Sequence, residues 1–164
     1  MKSLFLLAIL PSLAFGSSIE NCFKKSGTPI INQSNGGFAK VNFNFNNRLN
    51  FKPLLYVVAR NTKDVQNAVK CAVQNNNTIS ARSGGHSYEG YSQGGRNGDV
   101  IVDLSKLNTI NVDSKSKSAV VGAGSLLGSV YYTLFKNGGF GIPAGTCPLV
   151  GIGGHALGDC QRKW

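Results

Sequence analysis

The chain has 164 residues, with 17 Lys and Arg against 7 Asp and Glu, for a formal net charge of +10. That length suits about one domain with a real core. The basic residues are scattered singly, with nothing denser than Lys24-Lys25 or Arg162-Lys163. A nucleic-acid surface shows denser clusters with interleaved aromatics, so nucleic acid is not expected as a partner. A diffuse positive field still suits an anionic cofactor or a cell-wall polymer.

Residues 1–16 have the layout of a secretory signal. Lys2 precedes an apolar run from Leu4 to Phe15, and Ala14-Phe15-Gly16 offers small residues before a cut. The run is too short and too weakly flanked for a membrane span. A buried N-terminal helix is the competing reading. The mature, secreted chain is therefore expected to begin near Ser17, with residues 17–50 forming an N-terminal extension. Cys22, Cys71, Cys147 and Cys160 would then meet an oxidising compartment, where four cysteines allow three full pairings. Two sequons, at Asn32 and Asn76, fit the same route as glycosylation sites.

Residues 42–50 (NFNFNNRLN) read as a loop, because dense Asn favours turns. LLYVVA at 54–59 is a compact apolar run and reads as a buried strand. Thr62 is placed to cap a helix with Asp64 in its first turn. Val65, Ala68, Val69, Ala72 and Val73 then repeat at the spacing of one helix face. Cys71 lies about 240° round from Val65, off that face and free to reach a neighbouring segment, with Cys22 the only early candidate. Strands follow at ISAR (79–82), DVIVDLS (99–105) and TINVD (109–113), and the polar turn SKSKS leads into AVVGAG. Ser125 is placed to cap a second helix with Leu127, Val130, Tyr131 and Leu134 on one face, and Gly138-Gly139 to stop it. FGIPAGTCPLVGIGGHALG, from Phe140 onward, reads as a glycine-rich loop. This order is α+β with a mixed sheet and flanking helices.

Several chemistries are poorly served. GAGSLLG at 122–128 opens a helix after a strand, but its spacing is GxGxxxG and no acid follows about 20 residues on to take a ribose hydroxyl. His86, Cys147, His155 and Cys160 lack the paired short spacings of a zinc site, so no metal is assigned. No G-x-S-x-G is present for a serine hydrolase.

Two stretches instead join a nucleophile to bare backbone. In RSGGHS, Gly84 and Gly85 leave consecutive N–H groups uncovered, as a pyrophosphate requires, and His86 projects from the same loop. In GTCPLVGIGGH, Cys147 stands between glycines, and Gly151, Gly153 and Gly154 again permit close approach. His155 reads equally well as a hydrogen-bonded loop residue, and Tyr88, Tyr131 and Tyr132 as packing residues.

With ARSGGHSYEG, VDLSKLNTINVD, VGAGSLLGSVYYTL and PAGTCPLVGIGGHALG in this order, residues 50–158 resemble the FAD-binding domain of berberine-bridge-enzyme-like flavoprotein oxidases. That group includes the glucooligosaccharide oxidases, within the vanillyl-alcohol oxidase superfamily. The resemblance implies the N-terminal part of a PCMH-type FAD-binding domain over residues 51–158 and bicovalent FAD. His86 would bond to the flavin 8α-methyl and Cys147 to C6. Arg82, Ser83, Gly84, Gly85, His86, Ser87 and Tyr88 would wrap the pyrophosphate. Gly145, Thr146, Cys147, Val150, Gly151, Gly153, Gly154, His155 and Leu157 would line the flavin. Cys22 and Cys71 match a disulfide of the family.

Val150 matches the position said to gate oxygen, where valine resembles an oxidase. A neutral imidazole and a thiolate are suitable nucleophiles for such attachment, and both bonds raise the flavin potential. The implied reaction oxidises an alcohol or oligosaccharide with molecular oxygen as acceptor. Residues 159–164 (DCQRKW) depart from the family pattern, and the catalytic base and substrate domain are expected beyond this stretch. The alternative is a secreted, non-catalytic remnant that binds polysaccharide or a protein partner.

Overall fold

The computed structural model describes residues 16–158, with side chains from Ile19 onward. The expected signal up to Phe15, the tail at 159–164 and Cys160 lie outside the described residues.

Apolar, β-branched residues dominate the short strands of the central sheet. It comprises β1 (Ile30–Asn32), β2 (Leu55–Val58), β3 (Ile79–Arg82) and β4 (Val100–Asp103), in the order β1-β2-β4-β3. β2 and β3 both run parallel to β4, whereas β1 is antiparallel to β2. The sheet is therefore mixed, as the order of elements implied. β4 is sandwiched between β2 and β3, which explains why VIVD carries three fully or nearly fully buried residues in a row. β5 (Ile110–Asp113) and β6 (Ser118–Val121) form a separate antiparallel hairpin.

α1 (Gly16–Ser26) and α3 (Thr62–Gln74) cover one face of the sheet. Ile19 and Phe23, four residues apart on α1, are completely buried in a cluster with Leu55, Val57, Ala59, Ala68, Cys71, Val100 and Val102. Burial of each large side chain contributes about 1.5–3 kcal/mol. The segment 17–50 thus packs on the same core as the strands that follow it.

α3 departs from its expected orientation. Its buried residues are Asp64, Asn67, Ala68, Cys71 and Ala72, while Val69 and Val73 are 47% and 73% exposed. The observed face is the expected one moved back by a single residue, a rotation of about 100°. Polar and covalent partners set that rotation. Asp64 accepts from the Arg60 backbone N–H and lies 3.2 Å from the Arg60 guanidinium Nε. Asn67 donates to the Thr28 hydroxyl, and Cys71 is disulfide-bonded to Cys22. Cys71 is therefore central to the buried face rather than off it. The N-cap is Asn61, whose side chain accepts from the Asp64 N–H, and not Thr62.

α4 (Leu127–Lys136) buries Leu127, Val130 and Leu134, as its periodicity implied, and ends before Gly138 and Gly139, both at positive φ. Ser125 does not cap it: its hydroxyl is buried with no partner among the described residues. The first N–H groups of α4 instead donate to backbone, Leu127 to Val150 O and Gly128 to Pro148 O, each at 2.9 Å. The stretch expected as one long loop contains a short helix, α5 (Ile152–Leu157). Two glycines make IGGHAL a poor helix in isolation. It is held in place by Ile152 N–H donating to Ser125 O and Gly153 N–H to Ala123 O. α2 (Phe38–Val41) is a single turn before the Asn-rich loop.

Asn76 is exposed at φ 51° after α3, whereas Asn32 is half-buried with its amide donating to Glu20 at 2.9 Å. No helix among the described residues is long and apolar enough to cross a membrane.

The Cys22–Cys71 bond closes a sequence separation of 49 residues and ties α1 to α3. Replacing both cysteines by alanine is expected to cost about 3 kcal/mol, a fall of about 10 °C in Tm by thermal unfolding monitored by circular dichroism.

Candidate functional site

β3 and β4 end side by side, with Arg82 in register with Asp103. The chain leaving β3 at Ser83 and the chain leaving β4 at Leu104 open a cleft of about 720 Å³. Ser83–Tyr88 form one wall. Val150, Gly151, Gly153, Gly154, His155, Leu157 and Gly158 form the other, with Ala81, Tyr91, Ser92, Leu104 and Ala123 completing the lining. Ser83, Gly84, Gly85, His86, Ser87, Tyr88, Val150, Gly151, Gly153, Gly154, His155 and Leu157 were expected from sequence. Ala81, Tyr91, Ser92, Leu104, Ala123 and Gly158 were not, because only the pairing of β3 with β4 and the fold-back of α5 bring them there.

What comes close to Gly84 is the second glycine loop. A Cβ on Gly84 would lie 2.3 Å from Gly151 N, and one on Gly151 would lie 2.1 Å from Gly84 N. The two walls therefore touch backbone to backbone. Gly85 follows at φ 74°, a left-handed conformation that favours glycine. Among the described residues, the backbone N–H groups of Gly84, Gly85, His86 and Ser87 donate to no acceptor. A consecutive run of free N–H groups beside a cleft is suited to an anion.

Arg82 belongs to the expected set but does not line the cleft. Its side chain is buried beneath the loop, donating to Val41 O, with the guanidinium 4.4 Å from the Phe43 ring centroid and 5.7 Å from that of Tyr56. It supports the loop from below, its guanidinium lying under Gly85. Burial pushes the Tyr56 phenol above its ordinary range, while the Arg82 charge partly opposes that rise. Tyr56 donates to Asn42 Oδ1 at 3.0 Å, and Gln93 donates to Phe43 O. These contacts bind the 38–49 segment to the underside of the first wall.

The Asn-rich loop contributes to the site itself, which composition could not show. Phe45 stacks on His86 with ring centroids 4.5 Å apart and planes inclined by 29°, and also contacts Tyr88 at 5.5 Å. Asn46 holds this arrangement by donating to Tyr88 O at 2.9 Å.

Gly145, Thr146 and Cys147 lie outside the cleft lining. Cys147 is an exposed free thiol in the turn preceding Val150. That turn is fixed at both ends. The Gly145 N–H donates to His155 Nε2 at 3.3 Å and its carbonyl accepts from the Tyr131 hydroxyl, while Pro148 and Val150 carbonyls take the first N–H groups of α4. His155 thus combines a bonding role with a place on the wall. The glycines of GAGSLLG are explained by packing: a Cβ on Gly122 or Gly124 would strike Leu107 O or Leu104 O. Among the described residues, no group of three His, Cys, Asp or Glu side chains could hold a metal.

Gly84→Ala is expected to cost about 3 kcal/mol by forcing the two walls apart, whereas Gly154→Ala, with open space around it, is expected to be neutral or slightly stabilising. Paired urea unfolding curves check this contrast.

Comparison with known proteins agrees with this geometry. Residues 53–160 match the FAD binding domain family model. Berberine bridge enzyme-like 2 of Arabidopsis thaliana is 44% identical over 118 residues, covering 71% of this chain and 22% of that protein. The structure of wild-type Physcomitrella patens BBE-like 1 superposes with a TM-score of 0.83 at 40% identity, covering 87% of this chain and 31% of that one. A structure of glucooligosaccharide oxidase from Acremonium strictum, described with a 6-S-cysteinyl, 8α-N1-histidyl FAD, gives a TM-score of 0.82 at 32% identity, covering 87% and 30%. The chain thus spans less than a third of the length of these relatives. It belongs to the FAD binding domain family, together with the berberine bridge enzyme-like proteins and the oligosaccharide oxidases.

Proposed function

We propose that the chain is the FAD-binding part of a secreted flavoprotein oxidase, with the cofactor bonded through His86 and Cys147, that acts on an alcohol or sugar and uses oxygen as acceptor. The observation that carries this reading is the cleft in which His86 lies within a run of four backbone N–H groups, Gly84 to Ser87, that donate to no acceptor among the described residues. The residues present fit the cofactor: the free N–H run suits a pyrophosphate, and Gly84, Gly151 and Gly153 let the two walls pack on each other and on Ala123 without side chains between them. When bound, the flavin would supply hydride acceptance from the substrate and electron transfer to oxygen.

The chain's own residues would bind and orient. Gly84 to Ser87 would take the diphosphate charge, and Ser83, whose hydroxyl donates to Ala123 O, would fix the start of that run. His86 would present an imidazole nitrogen as one nucleophile, and Cys147 its sulfur, from the turn held by His155 and Tyr131, as the other. Val150 would form the apolar limit of the second wall, where oxygen approaches. The exposed Tyr88 and Tyr91 suit a substrate with flat apolar or sugar faces. The signal-like N-terminus, the Cys22–Cys71 bond and the sequons at Asn32 and Asn76 all support an oxidising, extracellular route.

Intact mass of the purified chain after denaturation, with its visible spectrum, tests the reading. The expected result is a yellow chain carrying one FAD mass. His86→Ala and Cys147→Ala should each retain an adduct through the remaining bond, and the double variant should carry none. A colourless wild-type chain at its bare mass, glycans aside, would overturn the proposal.

A further inference from the structure

A nucleophilic imidazole is normally oriented by a hydrogen bond at its second ring nitrogen. His86 has no such bond: among the described residues neither imidazole nitrogen is hydrogen-bonded. Its ring contact is instead the near-parallel stack with Phe45, at 4.5 Å and 29°. Phe45 is 47% exposed, and its other ring contact is Tyr88, two residues beyond His86.

The loop carrying Phe45 is nevertheless tied down on both sides of it. The Phe43 carbonyl accepts from Gln93, a residue that is 1% exposed, and the Asn46 amide donates to Tyr88 O, two residues beyond His86. Asn44 adds an internal brace by donating to Leu49 O at 3.0 Å. The aromatic ring is thus fixed to the same loop as the imidazole it stacks on.

We infer that Phe45 is a positioning residue for cofactor attachment: its ring sets the plane of the His86 imidazole and directs a ring nitrogen into the cleft. This rests on the proposed attachment of FAD at His86. Attachment forms one bond between a His86 nitrogen and the 8α carbon. It releases one proton from the methyl group and one from the imidazole, and leaves two electrons on the flavin. Dioxygen takes up those electrons with two protons and leaves as hydrogen peroxide. The protein's contribution to that step is geometric, and a misplacement of about 1 Å can cost about a hundredfold in rate.

The experiment uses the purified chain in a Cys147→Ala background, so that only the His86 bond is read. Phe45→Leu keeps bulk without a ring, and Phe45→Tyr keeps the ring. Each chain is incubated with FAD in air, and the covalent adduct is followed by intact mass. Non-covalent FAD affinity and the chemical shifts of the His86 ring protons are measured alongside. Phe45→Leu is expected to slow attachment about tenfold at unchanged FAD affinity, and to move the His86 protons downfield as the ring current is lost. Phe45→Tyr is expected to restore both. Attachment by Phe45→Leu at the parent rate, equal slowing in Phe45→Tyr, or slowing without a change in the His86 signals would overturn the positioning role alone. A parent chain that forms no adduct, in either the native or the Cys147→Ala background, would overturn the proposed function and this inference together.

Discussion

The site depends on one contact, the approach of Gly84 to Gly151. Each glycine occupies the space that the other's Cβ would need, so the two walls of the cleft meet through backbone alone. A Cβ at either position would have to move about 1 Å to reach ordinary contact, so any side chain there would push the walls apart. The separation would be transmitted to the free N–H run on one wall and to Val150 and α5 on the other. Both walls are supported from behind. Ser83 is tied to Ala123 O, and Gly153 N–H donates to the same carbonyl, so that Ala123 is a common anchor for the two loops.

The sheet decides where this contact falls. Parallel strands β3 and β4 finish at the same level, and the segments leaving their carboxyl ends diverge to opposite sides of the opening. This is the position at which parallel sheets commonly take ligands. The helices on one face of the sheet carry the hydrophobic load: Ile19 and Phe23 from α1, and Ala68 and Cys71 from α3, pack on Leu55, Val57, Val100 and Val102. The cleft can therefore remain open and polar in backbone character without losing the support of the core.

The segment before β2 has a second role as the floor of the first wall. Arg82, Gln93 and Tyr56 are largely or fully buried polar side chains, and each reaches the 38–49 stretch, at Val41 O, Phe43 O and Asn42 respectively. Their partners are mostly backbone carbonyls, which satisfies the buried donors and fixes the path of an otherwise irregular loop. Phe45 reaches His86 because that path is fixed.

By itself, the sequence determined the α+β class, the strands at 54–59, 79–82 and 99–105, and the two glycine loops with their His and Cys. Those features are local: apolar runs, bare backbone and a nucleophile within a few residues of it. It also carried the family resemblance, since the motifs are contiguous. The tertiary structure decided which face of α3 is buried, because Thr28 and Cys22 act on it from distant positions and, with Arg60 just ahead of its first turn, outweigh the valine periodicity. It alone turned Arg82 inward, folded 152–157 into a helix, and placed Phe45 against His86, 41 positions further along the sequence. Local pattern reads what each residue prefers. Which preferences prevail depends on partners that only the closed chain brings within contact distance.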